Sequence, residues 1–264
     1  MLSLRRRTFR IREPRSDAGI YVNVPLSLIQ SVRLVHSLME SSYPVHVSAN
    51  HRDRFSALER TFDVKYRLGI EGACCLRAVG VDHTIPRTWV GTLSRPLIFP
   101  RAIAERTRSL WTSNRPTRFS FTGLVTEKRR DVLSRWLSKA DPTERIVCQD
   151  SKRGRRFPEK SWDDGYYQLL AQSQFVLCPN GDYIWTYRFF EAILCGAIPV
   201  VEETCHAYVG FRYRMMSDPA GDLMWNDADA QHNYERCRDM LTLAASSLDA
   251  EIACIRDESP TEVP

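Results

Sequence analysis

The stretch from Gln174 to Glu203, QFVLCPNGDYIWTYRFFEAILCGAIPVVEE, reads as an apolar run, a polar turn, a short amphipathic helix and a second apolar run. The rest of the chain is organised around it. Gln174 to Cys178 is a short β-branched and aromatic run closed by Pro179, Asn180 and Gly181, which predicts a buried strand ending in a loop. From Thr186 to Cys195 the period becomes helical, with Phe189, Ala192 and Ile193 on one face and Tyr187, Arg188 and Glu191 on the opposite one. Gly196 supplies the stop, and Ala197 to Val201 predicts a second strand with Glu202 and Glu203 at its carboxyl end. A strand, helix, strand unit of this kind is right-handed and parallel. Ligands of open parallel sheets bind beyond the carboxyl ends of the strands, the edge where Arg188 and Glu191 are expected.

The same patterning organises the rest of the carboxyl half. Phe119 to Thr122 predicts a strand, Gly123 a turn, and Glu127 to Lys139 a helix that buries Val132, Leu133, Trp136 and Leu137. Arg145 to Cys148 reads as the next strand, SKRGRR at Ser151 to Arg156 as a basic loop, and Trp162 to Gln172 as a helix. Strands and helices alternating in this way predict a parallel, doubly wound domain. In the amino half, GIYVNVP from Gly19 and Val45 to Ser48 predict strands, and Leu26 to Ser41, His51 to Phe62 and Ala102 to Leu110 predict helices. Arg77 to Pro100 reads as loops with one or two short strands, and SNRPTR at Ser113 to Arg118 as a linker. Beyond Glu203 the segment HAYVGFRYRMM reads as irregular. Asn226 or Asp227 then caps a helix with Met240, Leu241 and Leu243 on its apolar side.

Composition narrows the classes. The chain has 264 residues, 43% of them hydrophobic, enough for two small domains. Lys plus Arg outnumber Asp plus Glu by 37 to 32, a net charge of +5 that suits a phosphate-bearing small ligand. The arginine-rich stretches lack the interleaved aromatics of a nucleic-acid surface, so no nucleic-acid partner is expected. The 8 cysteines include no CxxC pair, which argues against a zinc site or a disulfide framework and for packed thiols in a cytoplasmic or otherwise reducing compartment. Nothing approaches the roughly 20 apolar residues of a membrane span. The opening MLSLRRRTFRIREPRS reads as a flexible basic arm, with organelle targeting as its alternative, and not as a secretory signal.

The motif strand-Cys-Pro, Gly181, Thr186-x-Arg188, Phe190-Glu191-Ala192 and Gly196-x-Ile198-Pro199-Val200-Val201 resembles the nucleotide-sugar-binding signature of exostosin-like glycosyltransferases, and is more weakly similar to that of fucosyltransferases. FSFTGLVTEKRRDVL, from Phe119 to Leu133, resembles the strand, glycine turn and basic helix that open the donor domain of the same enzymes. The resemblance covers about residues 115 to 245. It implies an α/β fold of the GT-B type, two Rossmann-like domains with parallel sheets, the amino-terminal one small or degenerate. The expected organisation is a basic arm over 1–18, an acceptor-side domain over 19–112, a nucleotide-sugar-binding domain over 117–250 and a flexible tail over 256–264.

The implied reaction moves a sugar from a nucleotide diphosphate sugar to a hydroxyl of a glycan or protein, with no metal and no cofactor. Its alternative is a module of the same fold that binds the nucleotide sugar without turning it over. Donor contacts are implied for Gly123, Lys128, Arg129, Asn180, Gly181, Asp182, Thr186, Arg188 and Glu191. A fixed cation lowers the barrier to sugar departure because charge grows on the leaving diphosphate, and Arg188 in the first turn of a helix suits that role. Glu191, one turn later, is placed to accept hydroxyls, unless the two form an i, i+3 surface ion pair. Gly123 with Lys128, Arg129 and Arg130 offers a second phosphate-facing turn, or an exposed basic helix face. Lys152, Arg153, Arg155 and Arg156 read as a solvated loop or an acceptor-side patch.

Two metal patterns yield to plainer readings. Asp227-Ala228-Asp229 opens a helix and reads as a cap, and Cys205, His206, His232 and Cys237 lack ligand spacing. An inverting reaction needs a base from the amino half. Its candidates are His51, Asp53, Asp82 and His83, with Asp82 and His83 together in a loop after an apolar run.

Overall fold

A computed structural model describes residues 19–139, 141, 145–150 and 162–258 of the chain. The basic arm and the loop from Ser151 to Arg156 lie outside the described residues.

The carboxyl half is built on five parallel strands, β8 (Thr117–Gly123), β9 (Ile146–Asp150), β10 (Ser173–Cys178), β11 (Ile198–Val201) and β12 (Arg214–Met215), in the order β12-β11-β10-β8-β9. The helices α4 (Glu127–Leu137), α5 (Asp164–Ala171), α6 (Tyr187–Leu194) and α7 (Asp227–Leu241) connect or follow them. Phe175, Leu177, Ile198 and Val200 join Leu133 and Trp136 of α4 in one core, while Val176, Cys178 and Val201 join α5 and α6 in another. Period-two side chains buried on both faces are what a parallel sheet covered by helices requires. Strand order reverses between β8 and β10, so the crevice at their carboxyl ends is the topological switch point.

In the amino half, β1 (Ile20–Tyr21) pairs with β4 (Cys74–Cys75) and β2 (His46–Val47) with β3 (Arg67–Leu68), all parallel, and a parallel bridge from Ile20 to Val45 joins the two ladders. The helices α1 (Ile29–Leu38) and α2 (Arg52–Phe62) complete this reduced α/β unit. The fold is therefore α/β with two parallel-sheet halves, the amino-terminal one small, as anticipated. Three antiparallel strands, β5 (Val79–Asp82), β6 (Arg87–Val90) and β7 (Leu93–Arg95), occupy the segment read as loops with one or two short strands.

The boundary between the halves is interleaved. Leu97, Phe99 and Ile103, the last from α3 (Arg101–Ser109), pack into the core of the carboxyl half. In return α8 (Ala245–Glu258) places Leu248, Ile252 and Ile255 in the core of the amino half. The helix runs through residues assigned from sequence to the donor domain and the start of the tail, because its apolar stripe is buried against α1, β5 and β6 residues such as Val32, Val79 and Val90.

Candidate functional site

Helix α6 is fixed at both ends. Thr186 is its N-cap, accepting from Arg188 N, while Thr186 N donates to Tyr208 Oη at 2.9 Å. At the other end Gly196, at φ 75°, allows Gly196 N to reach Ile193 O at 2.9 Å and Ala197 N to reach Ala192 O at 3.0 Å, a Schellman closure. The helix has no solvent face, since every residue from Arg188 to Leu194 is buried.

That burial separates the two charged residues expected to work together. Arg188 turns to the switch-point crevice, where Nε and Nη2 donate to Thr122 O at 3.1 and 2.8 Å and the guanidinium lies 4.4 Å from the Phe121 ring centroid. Its Nη1 has no hydrogen-bond partner among the described residues. A Cβ on Gly123 would collide with Nη2, so the glycine makes room for the cation. Glu191 departs from its expected place among exposed donor contacts. It is fully buried, with Oε1 paired to Arg33 of α1 and Oε2 accepting from Tyr166 Oη at 2.6 Å. Arg33 also donates to Tyr167 Oη at 3.0 Å and stacks on Phe99. Glu191 and Arg33 thus cross-link the halves beneath the crevice, and the i, i+3 pair does not form.

Arg129 joins Arg188. Its Nε donates to Asn180 O and its Nη1 to Leu124 O, both at 2.9 Å, and a Cβ on Gly181 would strike its Nη2. Burial lowers the pKa of Arg129, and the charge of Arg188 lowers it further against the opposing pull of Asp182. Both guanidinium groups rest on main-chain carbonyls, and neither forms an ion pair with a carboxylate among the described residues. Two cations at the carboxyl ends of β8 and β10, beside the amino ends of α4 and α6, form a natural receptor for an anion.

Next to the crevice lies a cavity of ≈ 500 Å³ that both halves line. Thr84 and Pro86, in the turn between β5 and β6, face Lys128, Asn180, Gly181, Asp182, Tyr183, Ile184, Trp185 and Glu203 across it. The expected donor residues thereby gather in one region, except Glu191. None of the base candidates lines the cavity, but the ring of His83 lies 6.0 Å from that of Tyr183, which does. Asp82 Oδ1 accepts from Thr84 N at 2.9 Å and Thr84 Oγ1 at 2.7 Å, bonds that hold its carboxyl below the usual range. His51 and Asp53 lie on the segment that opens α2 and do not line the cavity.

The metal patterns are engaged elsewhere. Asp229 binds Arg212 at 2.7 Å and Arg214 at 3.1 Å, and Asn226 caps α7 by accepting from Asp229 N at 2.7 Å. Cys237 is buried, with its thiol pushed up by that burial, while His232 Nε2 meets Gly210 O at 3.0 Å.

An Exostosin GT47 domain matches residues 60–206, which include Arg129, Arg188 and most of the cavity lining. The chain belongs to the exostosin GT47 family. The match begins in α2, well upstream of the region carrying the motifs, so the β5–β6 turn is part of it. Human ribitol-5-phosphate xylosyltransferase 1 is 30% identical over 107 residues, 40% of this chain and 24% of that protein. A probable glucuronosyltransferase of Oryza sativa subsp. japonica is 35% identical over 82 residues, 31% of this chain and 19% of that protein. The chain thus matches about a quarter or less of the length of these curated relatives. Among solved structures it is similar to the GtfA/B complex, with 16% identity and a TM-score of 0.36 over 81% of this chain and 46% of that one.

Arg33, Tyr166, Tyr183 and Trp185 carry site geometry that motif reasoning passed over. One signal was present. Arg33 is a lone cation within the apolar run Val32, Leu34 and Val35, and a charge on an apolar helix calls for a buried partner.

Proposed function

We propose that this protein is a glycosyltransferase that moves a sugar from a nucleotide diphosphate sugar to a hydroxyl acceptor on a glycan or protein. The observation that carries the reading is the pair of guanidinium groups at the switch point, Arg129 and Arg188, seated where Gly123 and Gly181 leave space. In the reaction the bond between the sugar's anomeric carbon and the diphosphate oxygen breaks, and its electron pair stays on the diphosphate. The acceptor oxygen forms the new bond to that carbon and loses its proton to a base. Arg188, with Nη1 unpartnered among the described residues, stabilises the growing charge, and Arg129 assists from Gly181. The base role falls to His83, whose ring meets that of the cavity residue Tyr183. The diphosphate charge is met by these arginines, so no metal is assigned to the step.

The relatives named as xylosyl- and glucuronosyltransferases support transfer chemistry as the class. The test is donor hydrolysis and transfer measured over a panel of nucleotide diphosphate sugars, with Arg188→Ala as the comparison. Loss of turnover in a folded variant is expected, and undiminished turnover would overturn the reading. A second reading, binding without turnover, draws on the enclosure of Glu191, which leaves that carboxylate closed to donor hydroxyls. Calorimetric binding of nucleotide sugars with no transfer to any acceptor would favour it.

A further inference from the structure

The N-cap of α6, Thr186, has all three of its polar groups engaged. Thr186 Oγ1 accepts from Arg188 N at 3.4 Å, Thr186 O accepts from Phe189 N at 3.2 Å, and Thr186 N donates to Tyr208 Oη at 2.9 Å. In a capping box the last of these bonds goes to a Glu or Gln side chain three residues along the helix. That position is Phe189. Its ring stacks on Tyr208, with centroids 3.8 Å apart and planes at 15°, and so sets a phenol where the box would place its carboxylate.

Tyr208 comes from outside the helix. It ends the short 3₁₀ turn His206–Tyr208, where Tyr208 N donates to Cys205 O at 3.0 Å, and it is fully buried. Burial pushes the pKa of its hydroxyl well up, so the group stays neutral. Charge explains the exchange of acid for phenol. The first turns of α4, α5 and α7 carry Glu127, Asp164, and Asp227 with Asp229, as the helix dipole favours. That of α6 carries no acid and holds Arg188. A carboxylate in the box would share a turn with Arg188, offset part of its charge and repel a diphosphate. A neutral hydroxyl satisfies the amide and leaves the positive potential whole.

We infer that Tyr208 is a positioning residue of the transfer step: its hydroxyl replaces a capping-box acid at Thr186 N and so holds Arg188 in the crevice without adding a carboxylate to that turn. Being fully buried, it acts through Thr186 and α6 and not by contact with the donor. The inference rests on the transferase reading above and adds the residue that sets the leaving-group cation.

The test uses the full chain and three variants. Uridine and guanosine diphosphates serve as calorimetric probes, and hydrolysis of the nucleotide diphosphate sugar that serves the parent best is the kinetic readout. Tyr208→Phe keeps the ring stack and removes only the hydroxyl. Hydrogen exchange over residues 186–189 should rise, and kcat should fall about fivefold, the value of one hydrogen bond. KM should change less, because charge grows on the diphosphate only as the bond breaks. Thr186→Asp and Thr186→Asn both cap a helix well and differ by one charge. The Asp variant should bind the diphosphate about tenfold more weakly than the Asn variant, and the gap should narrow in high salt.

Unchanged exchange in Tyr208→Phe, or a parental kcat together with a lowered Tm, would overturn the inference by leaving Tyr208 a part of the core alone. Equal diphosphate affinity in the two Thr186 variants would overturn it as well, and that comparison decides even where Tyr208→Phe fails to fold. Both failures leave diphosphate binding by the parent intact. If the parent binds no nucleotide diphosphate, the transferase reading falls, and this inference with it.

Discussion

Gly123 and Arg188 are mutually dependent. The guanidinium occupies the space where a side chain at residue 123 would begin, and its hydrogen bonds to Thr122 O keep it there. Gly123→Ala should therefore act on the cation and spare the fold, since the obstructed atom is the far end of a side chain. We expect a loss in kcat/KM of about a hundredfold, the scale of removing one fixed charge-stabilising donor. Circular dichroism should be unchanged. Full activity in this variant would show that Arg188 does not work from its observed seat.

Arg33 and Glu191 form a buried ion pair between α1 and α6, and Tyr166 holds the second carboxylate oxygen. Leaving one buried charge without its partner costs about 3–5 kcal/mol, whereas replacing both with apolar groups is often close to neutral. Arg33→Met and Glu191→Leu should each destabilise strongly in urea unfolding, and the double variant should recover most of the loss. Additive losses would mean that the two side chains are not coupled.

His36 is buried beside Phe62, and burial, with the charge of Arg33 adding to it, lowers its pKa from 6.5 to about 3. The folded state thus keeps it neutral while the unfolded chain protonates it below about pH 6.5. Between those values the unfolded state binds the extra proton, so stability falls as pH falls, by up to about 1.4 kcal/mol per pH unit. Chemical denaturation at pH 7.5 and pH 5 should show a loss of about 2 kcal/mol that His36→Leu removes. An equal slope in the variant would place the proton uptake elsewhere.

Asp229 is a capping and salt-bridge residue in the first turn of α7. Asp229→Asn should lower Tm by a few degrees through the lost bonds to Arg212 and Arg214. Transfer should continue in this variant and after dialysis against a chelator. Activity that vanished with the chelator and returned with a divalent ion would refute the metal-independent step.

The carboxyl half was legible because its strands and helices are long enough to show their periods. The run from Gln174 to Val201 encodes strand, cap, helix, glycine stop and strand in order, and all of them form. β12 escaped because two residues, Arg214 and Met215, show no alternation and exist only through pairing with Val200 and Val201. The same brevity hid β3 and β4. Glu191 was misplaced for a different reason. Its face of α6 was read as open because it carries charge, while the partner that lets the charge be buried lies 158 residues away. Local pattern identifies a charged helix position, and only the assembled halves say whether water or an arginine meets it.

The return of α8 to the amino half makes that half's core depend on it. Leu248, Ile252 and Ile255 complete a core whose other members begin at Ile20. Asp249 receives Ser42 N at 2.8 Å, and Glu251 receives Thr92 N and Thr92 Oγ1 at 2.8 and 2.7 Å. The amino half is thus sealed by a helix that follows the whole carboxyl half in the sequence. Without that helix the amino unit exposes apolar surface, so truncation ahead of residue 245 should destabilise the amino half before the carboxyl half.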